Sequence, residues 1–381
     1  MKLFYFCSDF YPSGTGFAVS FTNFIQYVID SEKYDEIIIF TTNVDAELPD
    51  EFKIHNVKLE YFSSIGELKI ARIFKSKIIL DLFSKVRFSQ LLKLIKTYEV
   101  SSDDSFFYEE FYFGNLKKII QNKYSENKHT IRVHGTMPEF VTFDASNHYR
   151  KIFFEQAFSG PLNVATTTSF YIDFINDNLL DRQYDRIKNI NYLILPNAIH
   201  PSLMKEDEKH NKSQLFGKKI RLLQLGRMDD GGYFQKGFED TLRALDFLSQ
   251  KTRLNNIRLD IIGSGSKSSE FDSLVKFLSI DDIKRHDKLK NNEVRELIEL
   301  ADIILLPSRC EGMSMFAVEA ITMGKALITT KNTGLKDICI DGFNCLKFEA
   351  FNYIQYSEAI EKLLTDHELR IKLQENNTVL I

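Results

Sequence analysis

The sequence predicts an α/β protein built from two doubly wound parallel-sheet domains. Three observations carry this expectation. Short apolar runs alternate with helical patterns along most of the 381 residues. The alternation occurs twice, with a polar, proline-bearing stretch between the two sets. A chain of this length also outgrows one hydrophobic core, so two domains are expected.

In the first set the apolar runs at 3–8, 36–42, 57–62, 105–108, 130–134, 162–167 and 192–195 read as strands. The helix after the first run spans 17–29, where Phe17, Phe21, Phe24, Ile25 and Val28 share one face. The second set has strands at 220–225, 259–262, 303–307 and 326–329, with helices at 238–250, 270–278 and 292–300. Strand–helix alternation of this kind calls for parallel sheets with helices on both faces. The break is "LPNAIHPSLMKEDEKHNKSQLFGKK" (195–219), which carries two prolines and then mixed charge without hydrophobic period. We therefore expect a first domain over 1–200, a second over 201–363, and a final helix over 364–381 that packs back on the first domain.

Composition narrows the function. The net charge of −4 does not fit a nucleic-acid binder. The four cysteines, Cys7, Cys310, Cys339 and Cys345, form no CxxC pair, which argues against a zinc site or disulfide framework and for a reducing compartment. "MKLFYFCSDF" reads as a first strand rather than a signal peptide, and no run reaches the roughly 18 apolar residues that span a bilayer. The expected location is cytoplasmic, with peripheral attachment to the inner membrane face as an added expectation.

Ligands of doubly wound sheets bind beyond the carboxyl ends of strands, so the loops there are the candidates. Gly14 and Gly16 in "PSGTGF" let the chain turn directly into a helix whose free N–H groups can face an anion. His134 ends the fifth strand and can donate a hydrogen bond or move a proton. In "LGRMDDGGYFQKG", Arg227 and Lys236 flank one strand-to-helix loop, and two cations there suit a diphosphate. Gly263 and Gly265 in "IIGSG" read as a tight turn that lets backbone approach a ligand.

"PSRCEGMSMFAVEAITMGKALITT" (307–330) places Glu311 in a loop and Glu319 inside a helix capped by Ser314. A ligand along this segment would meet one carboxylate at each end, with phosphates near the amides between. A nucleotide-sugar has that layout, and carboxylates accept hydrogen bonds from vicinal hydroxyls. Glu319 lies among Phe316, Val318, Ala320 and Ile321, where a carboxylate without a partner is costly.

These motifs, with "GLKDICIDGFNCLKF" (334–348) and, in the first half, "PSGTGF", "VHG" and "LPNAI", resemble the retaining GT-B glycosyltransferases of the GT4 type, the glycosyl transferases group 1. The resemblance implies two Rossmann-like domains facing a central cleft, the first on the acceptor side and the second binding the donor. It implies that Glu319 holds the ribose and Glu311 sits by the donor sugar. Met313, Ser314 and Met315 line the sugar and phosphates through their amides. Arg227 and Lys236 neutralise the leaving diphosphate, His134 contacts the donor sugar, and Gly14 and Gly16 approach the phosphates or the acceptor. The family spaces its Arg and Lys more closely than this chain does.

The expected reaction is transfer of a hexosyl or similar sugar from a UDP-sugar, favoured over a GDP-sugar, to a hydroxyl of a glycan, lipid-linked glycan or protein. No cofactor and no metal are expected, since the cations already balance the diphosphate. The rival reading is a non-catalytic GT-B subunit or chaperone partner of another transferase. The segment 68–96 carries Lys69, Arg72, Lys75, Lys77, Lys85, Arg87, Lys93 and Lys96 interleaved with Ile, Leu and Phe. It reads either as a solvated basic face or as a surface for anionic lipid.

Overall fold

The computed structural model describes residues 1–13, 16–62, 88–110, 113–133, 162–176, 190–199, 219–252, 254–278, 280, 282–331 and 334–379. The chain divides into two compact units, Met1–Ala198 and Ile199–Ile381.

The first unit runs β1 (Lys2–Cys7), α1 (Gly16–Asp30), β2 (Glu36–Thr41), β3 (Val57–Tyr61), α2 (Ser89–Thr97), β4 (Ser105–Tyr108), α3 (Gly114–Lys123), β5 (Lys128–Val133), β6 (Leu162–Thr166), α4 (Ser169–Ile175) and β7 (Ile190–Ile194). Its seven strands are parallel in the order β3-β2-β1-β4-β5-β6-β7. Strand β1 shows why both faces must be covered. Phe4 and Phe6 enter one core with Phe40, Phe106 and Tyr108, while Leu3, Tyr5 and Cys7 enter the other with Phe21, Phe24 and Ile25 of α1. Alternation of side chains across a strand places apolar residues on both faces, as a central parallel strand requires.

At the carboxyl ends of β4 and β5 lies a buried ion pair. Arg132 donates to Glu109 at 3.3 Å, and Tyr5 also donates to Glu109. The other arm of Arg132 donates to Leu195 O at 3.2 Å, Pro196 O at 3.0 Å and Asn197 Oδ1 at 3.2 Å. The "LPNA" segment is thus fixed from within its own unit. Helix α1 adds bonds from Ser20 to Asn197 and from Asn23 to Ala198 O, at 2.9 and 3.0 Å.

The second unit runs β8 (Ile220–Leu225), α5 (Asp230–Gln235), α6 (Phe238–Ser249), β9 (Ile257–Ile262), α7 (Ser268–Val275), β10 (Ile283–His286), α8 (Asn291–Leu300), β11 (Ile303–Leu306), α9 (Met315–Thr322), β12 (Ala326–Thr330), β13 (Cys345–Phe348), α10 (Tyr353–Thr365) and α11 (His367–Val379). The sheet order is β10-β9-β8-β11-β12-β13, all parallel. The winding reverses between β8 and β11, and a crevice for ligands opens beyond strand ends at such a point. Strands β10 and β13, absent from the expected set, are the two edges of this sheet.

Helix α11 belongs to the second unit. Asn377, wholly buried, donates to Lys325 O at 2.7 Å and Asn344 O at 3.0 Å, and accepts from Asn344 Nδ2 at 2.8 Å. Gln374 donates to Asp302 O at 3.3 Å. A buried amide with every arm matched specifies one docking geometry.

Candidate functional site

The loops after β8 and β11 meet at the winding reversal. After β8 the chain turns at Gly226, where an added Cβ would lie 2.6 Å from Lys236 Cγ. Arg227 follows, then Asp229 caps α5 by accepting from Gly232 N at 2.8 Å. Helix α5 folds the residues that separate Arg227 from Lys236 into turns. Lys236 therefore comes back to the end of β8, where Gln224 Nε2 donates to its carbonyl at 2.9 Å.

Lys236 then donates to Glu311 Oε2. This pairing was not legible in the sequence, which assigned Lys236 to the diphosphate and Glu311 to the donor sugar. Glu311 is 7% exposed and also accepts from Ser308 Oγ at 3.2 Å. Its own backbone carbonyl accepts from Gly334 N at 2.7 Å, where a side chain at 334 would collide with Gly312. The carboxylate is thus held on a braced loop beside an amine.

Arg227 is placed differently. Its side chain is 70% exposed and stands 3.5 Å from Asp229. The two expected diphosphate cations therefore share a loop, but only Lys236 is paired with Glu311.

Ser314 caps α9, accepting from Ala317 N at 3.4 Å. Met313 is buried and Met315 half-buried. The N–H groups of the first turn of α9 have no carbonyl within the helix to reach, as at any helix start. Glu319 lies one turn further on and is half-buried, and burial pushes its carboxyl up to about 7. Among the described residues its carboxylate has no side-chain partner.

Gly263 and Gly265 both lie close to the loop after β8. An added Cβ there would lie 2.3 Å from Gly226 O, and one at Gly265 would lie 2.2 Å from Met228 C. The "GSG" turn packs closely on the 226–229 loop. Met228 N→Ser264 O at 3.0 Å and Lys267 N→Met228 O at 2.8 Å seal that contact.

Residues missed in the sequence include Ser308, Gln235, Arg309 and Asp240. Arg309 donates through Nε and Nη2 to Asp240, both at 2.9 Å. The partners lie 69 positions apart, so no local signal marks them.

Gly16 opens α1. Gly14 and His134 lie outside the described residues, as do residues 63–87 of the basic segment. Its remainder includes α2, whose Leu91 and Ile95 are buried against the first core while Lys93 and Lys96 face outward. That is an amphipathic helix with a solvated basic side. Among the described residues no group of three or more His, Cys, Asp or Glu is placed to hold a metal ion, and no helix is long and apolar enough to cross a membrane.

Two doubly wound parallel-sheet units, of seven and six strands, make this the GT-B class of fold. Residues 205–379, which take in most of the second unit, match the family model described as glycosyl transferases group 1. An uncharacterized glycosyltransferase (MJ1178) of Methanocaldococcus jannaschii is 24% identical over 266 residues, 69% of this chain and 66% of that protein. The lipopolysaccharide glucosyltransferase WaaG of Escherichia coli is 29% identical over 194 residues, 49% of this chain and 50% of that protein. The chain thus spans about half to two thirds of the length of these relatives. A solved structure of Anabaena HepE in complex with UDP-glucose superposes with a TM-score of 0.68 at 13% identity, covering all of this chain and 94% of that one.

Proposed function

We propose that the chain is a retaining glycosyltransferase. It moves a hexosyl or similar sugar from a nucleoside-diphosphate sugar, UDP favoured over GDP, to a hydroxyl of a glycan, lipid-linked glycan or protein. The observation that carries this reading is Glu319, a half-buried carboxylate without a side-chain partner among the described residues, on the helix that starts beside the Lys236–Glu311 pair. A desolvated carboxylate calls for hydrogen-bond donors from outside, and a ribose diol supplies two.

In this reading the acceptor oxygen bonds to the anomeric carbon as the bond from that carbon to the diphosphate breaks. The acceptor proton is released and the nucleoside diphosphate departs. Lys236 passes from Glu311 to the departing phosphates, and Arg227, exposed on the same loop, joins it. The amides of Met313, Ser314 and Met315 approach phosphate and sugar oxygens, as a helix N-terminus favours. Glu311, freed of its amine, accepts from sugar hydroxyls. His134, Gly14 and Gly16 are assigned to the donor by family resemblance, as is retention itself. Charge balance from the two cations supports a reaction without metal. The preference for UDP is supported by HepE, a protein of this fold solved with UDP-glucose. A cytoplasmic protein working at the inner membrane face, with residues 68–96 on anionic lipid, fits a lipid-linked acceptor.

Hydrolysis of a panel of nucleotide-sugars tests the proposal, because slow transfer to water reports the donor without an acceptor. Release of UDP from one sugar with the anomer retained is expected. Nucleotide binding without turnover of any donor, with every candidate acceptor supplied, refutes it in favour of the non-catalytic subunit.

A further inference from the structure

Arg309 takes no chemical part in the proposed reaction, yet its surroundings constrain it on every side. Its side chain and that of Asp240 are only 9% and 6% exposed. The guanidinium carbon lies 4.4 Å from the ring centre of Phe234 and 4.6 Å from that of Phe351. Those rings, themselves 56% and 59% exposed, form a notch with centres 6.1 Å apart. Two large aromatics left in water over one cation serve to desolvate and so strengthen the ion pair beneath them.

The pair closes a seam between residues 235–240 and 307–310. Arg309 N donates to Gln235 O at 2.8 Å, and Gln235 Nε2 donates back to Cys310 O at 3.1 Å. Gly237, at φ 62°, comes so close to Pro307 that an added Cβ would lie 2.2 Å from its carbonyl oxygen. Lys236 stands between Gln235 and Gly237, and Glu311 follows Cys310. Each member of the amine–carboxylate pair is thus attached directly to one side of the seam.

We infer that Arg309, with Asp240, is a positioning residue that sets the register of the Lys236 amine against the Glu311 carboxylate. The catalytic consequence rests on the transferase reading; the register itself does not. A lysine at 309 keeps the charge but loses the planar two-pronged contact and the fit to both rings.

The test has two arms on the full chain. In the first, lysines are acetylated under limiting reagent at one fixed pH. Labelling of Lys236 is read by mass spectrometry against exposed Lys93. Glu311→Gln frees the amine and defines the fast limit, expected about tenfold above wild type for an amine released from a half-buried pair. Arg309→Lys is expected within about threefold of that limit. Wild-type labelling in a folded Arg309→Lys protein overturns the inference. Should that variant not fold, the double change Phe234→Ser with Phe351→Ser strips the shield without leaving a charge unpaired. It is expected to raise labelling, and no rise overturns the inference.

The second arm uses the donor found by the hydrolysis panel. Arg309→Lys is expected to lower kcat by about a hundredfold, the cost of a misplacement near 1 Å, with donor KM within about threefold of wild type. It is expected to add nothing in the Glu311→Gln background, where non-additivity marks a shared unit. A loss that multiplies in that background, or equal changes in kcat and KM, overturns the positioning role. Absence of turnover in wild type defeats the transferase reading, while the labelling arm still decides the register.

Discussion

Replacing Glu319 by Gln is expected to stabilise the second unit, and only at neutral and higher pH. Burial raises this carboxyl from the ordinary 4.5 to about 7. A group with a raised folded pKa holds its proton more tightly folded than unfolded. Its contribution is therefore intact below pH 4.5, declines as pH rises through about 7, and is constant beyond. At about 1.4 kcal/mol per unit the full cost of ionisation is about 3.5 kcal/mol. Glu319 is half-buried, so water lowers this to roughly 1–3 kcal/mol. For a domain of this size the gain corresponds to a melting shift of about 3–9 °C. The assay is thermal unfolding of both proteins at pH 5 and pH 8, following the transition of the second unit. The variant is expected to match wild type within about 1 kcal/mol at pH 5 and to exceed it at pH 8. A difference independent of pH, or a variant less stable at pH 8, refutes the reasoning, because it would show the carboxylate to be matched by a donor.

Three further outcomes follow. Affinity for a non-hydrolysable UDP-sugar is expected to tighten about tenfold from pH 6 to pH 8, as the fraction of ionised Glu319 rises; titration calorimetry should show the trend lost in Glu319→Gln. Among the described residues, Lys236→Met leaves the Glu311 carboxylate with Ser308 as its remaining side-chain donor and should cost about 2 kcal/mol in denaturant unfolding. Adding Glu311→Gln should recover at least half of it, and strict additivity would exclude coupling. Gly237→Ala meets both a left-handed φ of 62° and the carbonyl of Pro307, and should destabilise by about 3 kcal/mol; a loss below 1 kcal/mol would show that the seam yields.

The architecture was legible because central parallel strands announce themselves. Runs such as "FYF" at 4–6 and "IILL" at 303–306 are apolar on both faces. The strands that escaped, β10 and β13, are edges whose Lys284, Arg285 and Lys347 break the apolar run. In the site, the helix start at Ser314 and the embedded Glu319 could be read locally, since caps and helical spacing act within a few residues. The Lys236–Glu311 and Arg309–Asp240 pairs could not, because 75 and 69 positions separate their members. The backbone neighbour of Gly263 could not be read for a related reason. A glycine signals that something comes close and is silent on whether it is ligand or backbone. Here it is Gly226 O.

Helix α5 carries one more consequence. Its six residues, Asp230–Gln235, lengthen the path from Arg227 to Lys236 without displacing the lysine, which is anchored at Gln224 and Gly226. Contour length and placement are thereby uncoupled. Asp230 and Gly231, the exposed residues of that coil other than Phe234, are free to diverge, so the stretch can acquire new surface chemistry while the amine it delivers stays where it is.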